Sequence, residues 1–309
     1  MDLNQEFFAP QGSIFDTHAH YDDERFDDCR DELLNTLSTN GVGYIINNST
    51  DLFESAEKCL KMSAEHEFCY TAVGIHPELV ETKEMQVDEE RLRELATNPK
   101  VVAIGEIGLD YYWSSEHKDN QKSVFRRQCE LANELGLPVI VHDREAHGDT
   151  LDILREIKPK GSLHCFSGSR EMALELVKLG MYIGVGGVVT FNNARKLVET
   201  VEAVPLERIL LETDAPYLSP VPYRGKTCHS AYIYYTALKI AEIKNISVDE
   251  VLKVTFDNAK ARFAIKSSFC VQFYKPPSPR EVARHSRVGG STPSVTFGDS
   301  SLKEGAYKQ

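Results

Sequence analysis

The stretch FDTHAHYDD, residues 15–23, places His18 and His20 one residue apart, just after Asp16, in a chain with ten histidines. In an extended strand the side chains at i and i+2 share a face. Both imidazoles would then project together from the end of SIFDTHAH. Two imidazoles on one side begin a metal site; the plainer reading is a surface pair in a loop. Similar groups recur along the chain: GIHP (His76), GEIGLD (Glu106, Asp110), VHDRE (His142, Asp143, Arg144), HCFSG (His164) and ETDAP (Glu212, Asp214). Burying so many imidazoles and carboxylates together without a cation leaves like charges and unpaired donors, which is costly. A pair of divalent cations removes the conflict, because one carboxylate can bridge both while imidazoles fill the outer positions.

The elements that must position these groups alternate between strand and helix. The apolar runs predict strands at 13–20, 42–49, 68–77, 101–110, 138–143, 161–168, 182–191 and 208–216. Helical spacing falls between them, as in Phe26, Cys29, Leu33 and Leu37 before Gly41. A second example is Val124, Gln128, Leu131 and Leu135 before Gly136 and Pro138. Eight near-continuous apolar strands with helical connections describe parallel β/α units. They predict a closed (β/α)8 TIM barrel, a single α/β domain over residues 13–264. An open doubly wound sheet is the alternative, and no G-x-G-x-x-G turn supports it. The pair AYIYYTALKIAEIKN and SVDEVLKVTFDNAKARF would close the outer layer. Residues 265–309, rich in Pro, Gly, Ser and basic side chains and without periodicity, read as a disordered tail.

Barrel enzymes place their chemistry at the C-terminal ends of the strands, where the polar groups above fall. Strand order then allocates them. His18 and His20 hold one metal, completed by Asp214 on strand 8, which neighbours strand 1 in a closed barrel. His142 and His164, on strands 5 and 6, hold the other. Glu106, on strand 4, bridges. Asp214 would also take the proton from the attacking water; its plainer role is to cap a helix after strand 8. The N and O donors suit Mg, Mn, Zn or Co without selecting one. Cys165 is turned away by alternation. His76, Arg144 and Arg224 are candidate substrate contacts, the guanidinium fork matching phosphate oxygens; a rim salt bridge is the plainer fate of each arginine. Tyr112, Trp113 and Phe166 could stack on bases or simply pack. Asp110 could orient a histidine ring from behind.

The net charge is −12. From Lys266 onward seven basic and three acidic side chains give +4, which leaves the body at −16. Such a body does not hold long duplex nucleic acid through a broad basic surface, although a small cleft is still open to a phosphate. The basic tail is either a weak nucleic-acid arm or an extension without a role. No run of apolar residues is long enough to span a membrane, and the acidic start lacks a signal-peptide core. Seven scattered cysteines without a C-x-x-C suit reduced thiols in a cytoplasm.

In order and spacing, DTHAHYDDERFD, AVGIHPE, AIGEIGLDYY, RQCELANELGLPVIVHDREA, HCFSGS and ILLETDAPYLSP resemble the TatD family of metal-dependent deoxyribonucleases, within the amidohydrolase-like barrels. The resemblance spans residues 13–264. It implies a TIM barrel, two divalent ions and hydrolysis of DNA phosphodiesters, in some members as a 3′–5′ exonuclease on single strands. Carried over position by position, the family's ligands fall on His18, His20, Glu106, His142, His164 and Asp214. After the strand 8 motif the family often reads R-G-K-x-N-E-P. Here RGKTCHS keeps Arg224, Gly225 and Lys226 but puts Cys228, His229 and Ser230 for Asn-Glu-Pro, near the expected mouth of the site. The substrate expected is single-stranded or short DNA, with no membrane and no obligate protein partner. A hydrolase of a small-molecule amide, lactone or ester on the same barrel is the alternative; a non-catalytic scaffold would have no need of a full ligand set.

Overall fold

The computed structural model describes residues 9–80, 86–113 and 116–266. Its strands are β1 (Ile14–Ala19), β2 (Val42–Asn48), β3 (Cys69–Val73), β4 (Val101–Asp110), β5 (Val139–Arg144), β6 (Gly161–Leu163), β7 (Tyr182–Val185) and β8 (Ile209–Leu211). Each pairs in parallel with the next, in the order of the sequence. Between and after them run α1 (Arg30–Thr39), α2 (Glu54–Glu65), α3 (Glu89–Ala96), α4 (Lys118–Leu135), α5 (His147–Ile157), α6 (Arg170–Lys178), α7 (Arg195–Ala203), α8 (Ile233–Lys244) and α9 (Val248–Arg262). The strands are buried along almost their whole length, as expected when helices cover one face and the barrel interior the other. The architecture is the TIM barrel that the strand count implies.

Closure brings the chemistry together. β8 is only three residues long, so β1 meets the segment just beyond it: Ala19 bridges Ala215. The His20 amide donates to the Ala215 carbonyl at 2.7 Å, and the Asp214 amide to the His18 carbonyl at 2.9 Å. Asp16 adds a buried polar knot. Its carboxylate accepts the Thr213 amide (3.0 Å) and hydroxyl (2.6 Å) and the Ser230 hydroxyl (2.7 Å). Burial pushes the Asp16 carboxyl up to about 6, while these donors oppose the rise.

Four strands stop earlier than the apolar runs suggest, each for a local reason. β3 ends before His76, which caps a single turn opened by Pro77. β6 ends at Leu163, because Cys165 turns the chain with φ +43°. β7 ends at Val185 and GVVT becomes a short 3-10 turn. β8 ends at Leu211 ahead of Asp214, at φ +62°. Phe26 belongs to a separate turn, Glu24–Phe26, and α1 begins only at Arg30. α4 stops as its sequence indicates: Gly136 takes φ +70°, a left-handed cap that lacks the Cβ penalty. α8 and α9 close the layer. The six cysteines among the described residues are free. No described helix is long and apolar enough to cross a membrane. Of the proposed tail, residues 267–309 lie outside the described residues.

Candidate metal centre

His18 and His20 leave the end of β1 with their Nε2 atoms 3.0 Å apart. Glu106 Oε2 lies 3.4 Å from each. Asp214 Oδ1 is 3.6 Å from His18 Nε2 and 3.5 Å from His20 Nε2. Four ligands at about 2.1 Å around a tetrahedral ion stand about 3.4 Å from one another, and these five spacings bracket that value. The tautomer also suits a cation. His20 Nδ1 lies 2.9 Å from the Asn48 carbonyl, which can only accept. Nδ1 therefore carries a proton, so that whenever the ring is neutral its Nε2 lone pair faces the cluster.

The other carboxylate oxygen of Glu106 faces a second group. Oε1 is 2.7 Å from His142 Nδ1 and 2.6 Å from His164 Nε2, and those nitrogens are 3.3 Å apart. His142 Nε2 donates to Asp110 Oδ2 at 2.9 Å, leaving Nδ1 to face Glu106. Asp110 Oδ1 accepts the amides of Tyr112 and Trp113, and Gln121 of α4 clamps the Asp110 backbone at 3.0 and 3.1 Å. Asp110 thus stands behind His142 as a ring-orienting carboxylate. His76 Nε2 is 3.5 Å from Glu106 Oε1, so distance alone makes it a further donor. However, His76 Nδ1 accepts the Glu78 amide at 3.2 Å, which leaves the ring proton on Nε2 and turns a donor, not a lone pair, toward the centre. The two halves touch: the His18 and His164 rings stack at 3.8 Å, and His18, His164 and Asp214 also lie close enough to share an ion.

Without a cation, protons carry the balancing charge. Burial would raise the Glu106 carboxyl, yet the imidazoles of His164, His76 and His18 hold it well below the ordinary range. Burial opposes charge on His142, but hydrogen bonds to Asp110 and Glu106 lift it to about 10. Asp214 and Glu106 likewise hold His20 well above its usual value, against burial. His18 goes the other way, to about 3, through burial and the neighbouring His164. Imidazoles crowded around buried carboxylates, with the outer nitrogens of His20 and His142 already committed, form a donor set that fits two divalent ions.

The remaining expected residues separate cleanly. No helix begins at Asp214 among the described residues, and its side chain faces the two imidazoles. Arg144 lies over the exposed Tyr112 and Trp113 rings at 3.9 and 5.4 Å, and Arg224 over Phe191 at 4.1 Å. Among the described residues neither guanidinium has a carboxylate at salt-bridge distance, so a rim salt bridge is not what either makes. Phe166 is core packing, at 2% exposure. Cys228, His229 and Ser230, expected near the mouth, do not present themselves to solvent. All three are buried, and Ser230 joins Asp16 and Tyr21 in the knot that closes the barrel. Glu212, named with the strand-end groups but given no role from the sequence, is a buried carboxyl pushed up to about 8 by desolvation. Asp16 was likewise given no role; the donors Thr213 and Ser230 are distant in sequence, so no local signal marks the contact.

Residues 15–264 match the family described as TatD related DNase. Among relatives, the uncharacterized metal-dependent hydrolase YabD of Bacillus subtilis is 41% identical over 256 residues, covering 82% of this chain and 99% of its own. The uncharacterized metal-dependent hydrolase YcfH of Escherichia coli is 38% identical over 261 residues, covering 82% and 97%. The crystal structure of YJJV, a TatD homologue from Escherichia coli, superposes with a TM-score of 0.77 at 31% identity, over 82% of this chain and 99% of that one.

Proposed function

The chain belongs to the TatD-related DNase family of metal-dependent hydrolases, and from that premise we propose that it is a two-metal phosphodiesterase acting on DNA. One observation carries the two-metal part. Glu106 turns Oε2 to His18 and His20 and Oε1 to His142 and His164, the arrangement of a carboxylate that serves two ions at once. Divalent ions held there supply Lewis acidity, neutralising charge on a phosphate and making water acidic enough to lose a proton near neutral pH.

The chain's own residues do the rest. His18, His20, Asp214 and Glu106 hold the first ion; His142, His164 and Glu106 hold the second. Asp214 keeps 20% of its side chain exposed against 3% for Glu106, so it is the carboxylate placed to accept the proton of the attacking water. His76 presents Nε2–H toward the same space and can donate to a phosphate oxygen. Arg144 and Arg224, with no carboxylate partner among the described residues, bind further phosphate oxygens. Seven of the eight large apolar side chains that are exposed among the described residues sit on loops that follow strands: Phe53, Leu79, Tyr112, Trp113, Tyr217, Leu218 and Val221. That is the end of the barrel where the centre lies, and aromatic faces there suit unstacked bases. The strongly acidic chain favours single-stranded or short DNA over long duplex. The free thiols suit the reducing cytoplasm.

The test is end-labelled single-stranded DNA incubated with the purified chain in Mg, Mn, Co or Zn, with a chelator control. Metal-dependent release of nucleotides is expected. No cleavage, together with turnover of a small amide, lactone or ester, would overturn the DNA assignment and favour that chemistry.

A further inference from the structure

We propose that Glu212 is a positioning residue for His164, acting through the backbone of Cys165, and that it sets the affinity of the His142/His164 half of the centre; the proposal rests on the two-metal reading above. Glu212 follows β8 directly and is 2% exposed. Its Oε1 accepts the backbone N–H of Cys165, the residue after His164. Cys165 sits at φ +43°, a left-handed conformation that a residue with a Cβ adopts only when its surroundings hold it there. The chain on either side is tied to strands: the His164 amide donates to Val141 of β5 at 3.0 Å, and the Phe166 amide to Gly184 of β7 at 3.2 Å. The bond from Glu212 holds the turning residue itself.

Space for that carboxylate is built into β7. A Cβ placed on Gly184 would stand 2.4 Å from Glu212 Oε2 and 2.8 Å from its Cδ, so a side chain at residue 184 would force the carboxyl to shift from the place where it meets Cys165. A buried carboxyl kept in a notch cut for it, bonded to the main chain beside His164, is poorly explained by packing, since an apolar side chain would fill the volume without the desolvation cost. Removing the acceptor leaves the Cys165 N–H buried without its partner. The turn can then relax, and His164 Nε2, now 2.6 Å from Glu106 Oε1, drifts from the point where it and His142 converge.

The experiment strips the full chain with a chelator and titrates it with Co²⁺, following visible absorption and calorimetry. His18→Ala and His142→Ala assign the two binding events. Glu212→Leu, which removes the acceptor, and Gly184→Ala, which displaces it, should each weaken the event lost in His142→Ala by about 10–100-fold, the usual cost of losing support behind a ligand. The event lost in His18→Ala should hold within about threefold, and Glu212→Gln, which keeps an acceptor oxygen, should restore the second event to near the parent. Parent-like binding of both ions by Glu212→Leu would overturn the positioning role, as would equal weakening of both events by Glu212→Leu, Gly184→Ala and Glu212→Gln alike. A parent chain that binds a single ion would instead remove the two-metal premise, and the proposal with it.

Discussion

Asp110 Oδ2 lies 2.9 Å from His142 Nε2, so the imidazole keeps its proton on the outer nitrogen and turns Nδ1 to Glu106, 2.7 Å away. One carboxylate thereby fixes both the tautomer and the aim of a proposed ligand. Asp110→Ala should keep the barrel and weaken the second ion by about 10–100-fold, with little effect on the first. Calorimetric titration with Zn²⁺ checks this. Unchanged affinity for both ions would mean that the Asp110–His142 bond only closes the loop at residues 110–113.

Asp214 faces two imidazoles and is more exposed than Glu106. Asn keeps its size but can neither take a proton nor bring charge to an ion. Asp214→Asn should retain the fold and lose about 10²-fold or more in turnover under saturating metal, the scale of a missing general base. Activity within a few-fold of the parent would remove Asp214 from the catalytic role.

Metal binding should release protons. Hydrogen bonds to Asp110 and Glu106 lift His142 to about 10, against burial, and His20 is held well above its usual value. Both are therefore charged at pH 7 in the metal-free chain, and an ion must displace those protons to bind. Metal affinity should rise with pH up to the region where these imidazoles discharge. Calorimetry at pH 7 in buffers of different ionisation enthalpy should show protons released as the ions bind. A heat of binding independent of buffer would show that the rings are already neutral.

Phe263 and Ile265, just past α9, are buried, and the periodic apolar pattern ends with them. A chain ending at Lys266 should match the parent in melting temperature and in turnover of short oligonucleotides. The net +3 of residues 267–309 should matter only for capture of nucleic acid at low salt. A large drop in melting temperature would show that residues 267–309 pack on the barrel.

Much of the centre was legible because it depends on few, strongly directional facts. Strand alternation puts His18 and His20 on one side, and a barrel collects strand ends at one face, which placed Glu106, His142, His164 and Asp214 near them. Strand ends were less legible: apolar residues recur past Val73, Leu163 and Val185, while the turns after β6 and β8 are set by left-handed residues such as Cys165 and Asp214 that composition does not mark. The arginines at 144 and 224 looked equally like salt-bridge partners until the structure set them on aromatic rings. The roles of Asp16, Glu212 and Ser230 follow from partners far away in sequence, or from the space left by Gly184. Such relationships exist only once the barrel has closed.

The central claim is that Glu106 holds one ion with each oxygen. Crystals of the chain reconstituted with excess Mn²⁺ or Zn²⁺, measured at the metal's absorption edge, test it directly. Two anomalous peaks about 3.5–4 Å apart, the spacing of two-metal sites, are expected, with Glu106 Oε2 on the ion held by His18 and His20 and Oε1 on the ion held by His142 and His164. A single peak, or two peaks with Glu106 bound to only one of them, would contradict the account.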